Sequence, residues 1–305
     1  MDNMRGIVLM VLGMLGFAAE DMFIKLASAG LPVGEILAIL GIPSAIFFAV
    51  LARARGANPF SRDFLHPAVL IRNLSEMVGS VGFVMSLALI PLATATTILQ
   101  ATPLFVTMGA ALVLREAVGW RRWTAILVGF FGVVLVIRPG LSGFDPNVMW
   151  AVMGVIGLSI RDLASRKVPK SISSLQLAVW GFSAVGIIGL IMSVYSGGAK
   201  MPTGNESLFL LGALLIGSVA YWTLTEATRV GEIAVVTPFR YSRLVFSTIV
   251  GAIVFYEYPD TYTLVGAAII IATGLYTLVR ERKRRRQEAA LAREAAQQAA
   301  ASGIY

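Results

Sequence analysis

The chain has 305 residues, 57% of them hydrophobic and 14% charged, with 30 glycines, one histidine and no cysteine. A soluble domain carries about a quarter charged residues and its helices tolerate glycine poorly, so a water-soluble enzyme is excluded. The same counts exclude a disulfide framework and thiolate or histidine metal sites, and the formal charge of +8 has to be tested against membrane topology before nucleic acid.

A transmembrane helix needs about 20 mostly apolar residues. In chain order the sequence predicts ten such spans, near residues 6–26, 33–52, 68–88, 92–114, 121–138, 147–166, 174–195, 207–228, 232–256 and 262–280. Turn-forming residues separate them: Gly30-Leu31-Pro32, Arg55 to Pro59, Arg138-Pro139-Gly140, and Gly197 to Asn205. Barrel strands would be shorter and alternate in polarity, which Ile126 to Ile137 does not. The first span carries Glu20, Asp21 and Lys25 and is followed by no small-residue cleavage site, so it reads as a retained helix.

With ten spans both termini share one side. Eighteen of the 25 Lys and Arg fall in the loops and tail of that side, and only Arg138 and Lys200 in the opposite loops. Basic loops stay cytoplasmic, so the expectation is a multi-pass protein of a bacterial inner membrane with both termini inside. The basic run from Arg280 to Arg286 opens a tail, residues 281–305, that reads as an anchor at anionic headgroups rather than a nucleic-acid arm.

One shift relates distant segments. Adding 141 to Val11, Gly13, Gly16, Asp21 and Lys25 gives Val152, Gly154, Gly157, Asp162 and Arg166. The same shift of 141 carries Ala93, Thr96, Phe105, Thr107, Ala111, Val113 and Glu116 onto Ala234, Thr237, Phe246, Thr248, Ala252, Val254 and Glu257. The chain is therefore expected to be an all-α integral membrane protein of two five-helix repeats, residues 1–140 and 141–280. An odd number of spans per repeat inverts the second copy, the arrangement of alternating-access carriers.

Particular stretches carry a family likeness: Leu92 to Thr96 leading to Ala101-Thr102-Pro103-Leu104-Phe105, Glu116 to Trp123, Gly129 to Leu135, Arg161 to Arg166, and Pro238 to Leu244. In these the chain resembles the drug/metabolite transporter superfamily, in its EamA branch, over about residues 5–280. The resemblance implies a secondary carrier of small metabolites without a cofactor, often an exporter. It also implies a central cavity lined by spans one, three, four, six, eight and nine. Amino acids and related amphiphilic compounds are the expected cargo, with import of S-adenosylmethionine or riboflavin as the alternative. Besides its small-molecule substrate and the lipid bilayer, the chain is compatible with a homodimer, and no nucleic-acid partner is expected.

An ionised side chain in the hydrocarbon core costs at least a few kcal/mol, so each needs a partner or a task. Helical spacing suggests Asp21 with Lys25, Asp162 with Arg166, Arg72 with Glu76, and Glu226 with Arg229. These pairs either lower the insertion cost or, for Asp21 and Asp162, gate the two mouths in turn. Glu116 and Glu257 end their spans and read as structural anchors. Glu20, Arg161, Arg240 and Arg243 lack a local partner, and Glu20 and Arg161 are equivalent positions of opposite sign. Arg240 and Arg243 follow Thr237-Pro238, where proline frees backbone carbonyls, and guanidinium forks bind carboxylates. They read either as a clamp for a substrate anion or as ion pairs to Glu20, Glu76 or Glu226. By family architecture Gln100, Trp180, Tyr221, Trp222 and Tyr241 should lie near them, although Trp180 reads equally as packing. Glu226 and Glu76 are the candidate carboxylates for proton coupling. A Walker loop and an HExxH motif are absent from the sequence, and Asp21 and Asp162 belong near opposite faces, unlike a protease dyad. A membrane-embedded enzyme or a channel remains the rival class.

Overall fold

The computed structural model describes residues 2–116, 119–140, 144–196 and 200–301, with the backbone alone at 233–234, 281–282 and 284–301. Ala117 and Val118 of the Glu116 segment, and Gly197 at the head of its loop, lie outside the described residues. So does the end of the tail, residues 302–305, and the side chains of the basic run other than Arg280 and Lys283 are not described.

The first repeat comprises α1 (Asn3–Ser28), α2 (Val33–Ala54), α3 (Pro67–Leu89), α4 (Leu92–Leu99), α5 (Thr102–Val113) and α6 (Trp120–Ile137). The second comprises α7 (Val148–Ser165), α8 (Ser174–Tyr195), α9 (Gly204–Val230), α10 (Ile233–Val236), α11 (Ser242–Val254) and α12 (Thr261–Ala301). Among the described residues there is no strand. Nine helical segments among the described residues are long and apolar enough to cross a membrane, α4 and α5 together forming one and Thr261–Arg280 of α12 another.

The predicted ninth span, 232–256, is the exception, because it is broken. A 3-10 turn over Thr237–Tyr241 separates α10 from α11. Pro238 in the first turn of that element has no N–H to donate, and its ring opposes a continued α-helix. The equivalent place in the first repeat breaks too, at Gln100 and Ala101 between α4 and α5, ahead of Pro103. There the Thr102 hydroxyl donates to the Leu99 carbonyl at 2.6 Å, satisfying a carbonyl the proline leaves without its usual donor.

The repeats interlock rather than stand side by side. The main packing pairs are α1 with α9, α3 with α7, α2 with α8 and α6 with α12, and each joins one helix from each half. The internal symmetry exchanges the first two pairs and maps the last two onto themselves. Small residues permit this closeness, as expected for helices in lipid. A Cβ on Gly82 would stand 2.7 Å from the Trp150 carbonyl oxygen and 2.9 Å from the Gly154 Cα, so α3 and α7 meet backbone to backbone. Apolar residues such as Ile36, Leu87, Leu92, Ile98 and Ile270 fill the common core.

The two repeats also end their broken spans alike. Arg115 and Tyr256, related by the shift of 141, both adopt left-handed backbone, with φ of 54° and 56°. The next residue, Glu116 or Glu257, donates its N–H back to Ala110 or Gly251. Duplication is thus visible in backbone conformation as well as in sequence.

Candidate functional site

The breaks in the fourth and ninth spans face a cluster of charges supplied by α1, α3, α7 and the segment around α11. Asp21 of α1 is 1% exposed and is held by Arg243 of α11 in a bidentate fork, with Nε–Oδ2 at 3.0 Å and Nη2–Oδ1 at 2.7 Å. The Arg243 guanidinium lies between Phe17 and Phe83, at 5.2 and 5.4 Å from the ring centroids. A planar cation with two aromatic faces and a carboxylate at its edge has its electrostatic needs met.

A second group lies on the other repeat's side. Arg161 of α7 binds Glu76 of α3 at 2.9 Å and Asp162 at 2.8 Å. Arg72 approaches the other Glu76 oxygen at 3.5 Å and donates to Asn73 at 3.0 Å. Tyr221 of α9 lies within the electrostatic reach of Arg72, Arg161 and Glu76, and packs edge-on against Phe48 at 5.4 Å.

Arg240, in the 3-10 turn, stands within electrostatic reach of Arg161, Asp162 and Arg243. Gln100 from the equivalent break of the first repeat donates to the Arg240 carbonyl at 3.3 Å. The Arg240 guanidinium itself makes no ion pair among the described residues. Glu20 likewise has no ion pair there. The internal shift explains its isolation. Arg161 and its partner Glu76 correspond to Glu20 and Gly217, so where Arg161 meets a carboxylate Glu20 meets a glycine. A Cβ on Gly217 would come within 2.6 Å of the Glu20 carboxyl carbon. Within the cluster the cation Arg240 and the anion Glu20 make no ion pair among the described residues, and neither does Glu226 further along α9.

Several expected partners differ from those found. Asp21 pairs with Arg243 rather than Lys25, and Asp162 with Arg161 rather than Arg166. Lys25 instead reaches Glu257 at 3.0 Å, and Arg166 reaches Glu116 at 3.1 Å. Glu226 and Arg229 form no ion pair among the described residues. Interhelical partners win because the helices pack closely enough for a short reach across, whereas an i, i+4 pair on one helix must bend two long side chains over its own surface. Arg72 with Glu76 is the expected pair that forms.

The aromatic candidates divide. Tyr221 is near the cluster, but Trp180 is buried among Phe48, Val69 and Ile172 and donates its indole N–H to the Pro59 carbonyl at 2.8 Å. Tyr241 is buried with its hydroxyl turned to Gly274 of α12, and Trp222 is 60% exposed on α9. The structure brings neither tryptophan to Arg240, while Tyr241 stays within its electrostatic reach with the hydroxyl aimed elsewhere. Sequence reasoning missed Phe17 and Phe83, for which no local signal exists, and Gly217, which the shift of 141 does point to.

The geometry places a charge cluster at two matching helix breaks within an inverted repeat, and the comparisons agree with that plan. The EamA-like transporter family matches residues 4–138 and again 146–279. An S-adenosylmethionine uptake transporter of Rickettsia felis is 29% identical over 92% of this chain and 94% of that protein. A riboflavin transporter of Vibrio cholerae is 25% identical, covering 93% and 96%. The pseudopaline exporter CntI of Pseudomonas aeruginosa is 26% identical, covering 87% and 93%. A protein of known crystal structure shares the fold with a TM-score of 0.59 at 18% identity, over 89% of this chain and 98% of that one. The chain spans the membrane many times, is built as a transporter rather than an enzyme, and belongs to the EamA-like transporter family.

Proposed function

We propose that this chain is a secondary-active carrier of small organic metabolites that bear an acidic group, amino acids and related amphiphilic compounds foremost, working by alternating access in export or exchange. The observation that carries this reading is the uncommitted Arg240 guanidinium at the break of the ninth span, inside a cluster whose other arginines are all engaged. A substrate carboxylate is the partner it lacks. Arg243 completes the clamp when the substrate exchanges places with Asp21. Gln100 steadies the Arg240 backbone, and Tyr221 supplies a half-exposed ring with a polar edge. S-adenosylmethionine and free amino acids both present such a carboxylate.

Of the candidates for coupling, Glu76 is committed to two guanidiniums, which leaves Glu226 and Glu20 as the interior carboxylates without an ion pair among the described residues. The loop charges support a bacterial inner-membrane placement with both termini in the cytoplasm.

Counterflow into proteoliposomes across a panel of amino acids, purines and flavins tests the reading. Saturable exchange of a carboxylate-bearing compound is expected. Arg240→Ala should lower its kcat/KM about 10- to 100-fold, the loss of one charged hydrogen-bonding partner. Non-saturating current would make the protein a channel, and unchanged kinetics in Arg240→Ala would remove the clamp.

A further inference from the structure

Two ion pairs stand at opposite ends of the bundle and are images of each other. Lys25 and Glu257 become Arg166 and Glu116 when the repeats are exchanged by the shift of 141. Each pair crosses between repeats: Lys25 of α1 meets the turn after α11, and Arg166 after α7 meets the turn after α5. Both glutamates sit one residue beyond the left-handed Arg115 or Tyr256, so the same turn aims both.

Their surroundings are unequal. Lys25 and Glu257 are 12% and 22% exposed, and both have additional bonds. Lys25 donates to the Ile90 carbonyl at 2.6 Å, its ammonium lies 5.4 Å from the Phe255 ring centroid, and Glu257 accepts the Leu92 N–H at 2.8 Å. One pair thereby ties α1, the α3–α4 junction and the α11–α12 junction together at the end distal to the chain termini. Arg166 and Glu116 at the terminal end are 42% and 48% exposed and hold only each other among the described residues. An exposed ion pair contributes little, whereas a part-buried one backed by backbone hydrogen bonds resists opening.

We propose that Lys25–Glu257 and Glu116–Arg166 are the two latches of one transport cycle. In the conformation described here the distal latch is shut and the terminal latch is slack. In the conformation related by exchange of the repeats, Arg166–Glu116 takes the enclosed, multiply bonded state and Lys25–Glu257 the exposed one. The proposal deepens the alternating-access reading and rests on it. It replaces the expectation that Asp21 and Asp162 close the mouths: Asp21 is locked to Arg243, and Asp162 shares Arg161 with Glu76.

The native chain has no cysteine, so spin labels can be placed without background. Ala29→Cys with Tyr258→Cys spans the distal mouth, and Gly119→Cys with Lys170→Cys the terminal one, all at exposed positions. Pulsed electron-electron distances are recorded in nanodiscs without substrate, so the readout is independent of cargo and of transport. In Glu257→Gln the distal distance should lengthen and the terminal one shorten, with the ratio of distal-open to distal-closed molecules rising about tenfold or more. Glu116→Gln should leave the present conformation in place and remove its mirror image. Lys25→Arg, which keeps the cation and a donor for the Ile90 carbonyl, should retain the native distances.

Unchanged distances in Glu257→Gln would overturn the proposal, as would both mouths widening together, which signals loosened packing. If Glu257→Gln does not insert, Lys25→Gln, which keeps a donor for the Ile90 carbonyl and removes the charge, decides alone: a lengthened distal distance supports the latch, and native distances refute it. Active counterflow with unmoved latches would sink this inference and spare the carrier. Moving latches without exchange of any substrate would do the reverse.

Discussion

Arg243→Met separates structural from functional charge in the cluster. The substitution keeps much of the side-chain volume between Phe17 and Phe83 but removes the fork that holds Asp21, whose carboxylate is 1% exposed and loses bonds of 2.7 and 3.0 Å. Breaking one side of a buried pair costs about 3–5 kcal/mol, because the remaining charge has no water to return to. An ordinary interhelical hydrogen bond in a membrane protein is worth only about 0.6 kcal/mol, so the two cases are distinguishable. Arg240→Met removes no ion pair and should cost under about 1 kcal/mol. Combining Arg243→Met with Asp21→Asn removes the orphaned charge and should recover most of the loss. Unfolding in mixed micelles, followed by the fluorescence of the five tryptophans, measures all four chains. If Arg243→Met lies within about 1 kcal/mol of Arg240→Met, then Asp21 is not an uncompensated charge without Arg243 and the division of roles fails.

Two further outcomes follow from geometry away from the cluster. Gly82→Ala places a methyl against the backbone of α7, at Trp150 and Gly154, where nothing flexible can yield. It should destabilise the chain by about 1–3 kcal/mol in the same unfolding assay. At the loop end of α6, burial tends to raise the Asp260 carboxyl, but hydrogen bonds from Thr263 and the Arg138 guanidinium outweigh it and hold the group below its ordinary value. Its stabilisation is therefore complete above the ordinary aspartate range and disappears as pH falls through the lowered value. Native chain and Asp260→Asn should differ at pH 7 by less than about 1 kcal/mol, given the screening of an exposed pair, and converge below about pH 4. A gap that grows on acidification would contradict this.

How much could be read from the residues alone depends on the range of the interaction. The shift of 141 that relates Asp21 to Asp162 and Glu116 to Glu257 was legible because duplication leaves its record along the chain. Pro238 pointed to the break in the ninth span by its chemistry, whereas the break ahead of Pro103 lies in a stretch that reads as one continuous span. Partners of charges were not legible. Lys25 has a carboxylate four residues away, yet its mate lies beyond α11, because the reach between tightly packed helices is shorter than the reach along one. Trp180 carried the composition of a cavity residue, while its indole N–H is spent on a loop carbonyl.

Sequence by itself thus determined the solvent, the number of membrane crossings, the inverted duplication and the set of charges that must be accommodated. Each follows from hydrophobicity, length and self-similarity, which are local or periodic quantities. Only the tertiary structure decided which charges neutralise one another and which, Glu20, Glu226 and Arg240 among them, make no ion pair among the described residues. That choice depends on distances of a few ångströms between helices far apart in the chain, set by glycines such as Gly82 and Gly217 that let one backbone or one carboxylate approach another.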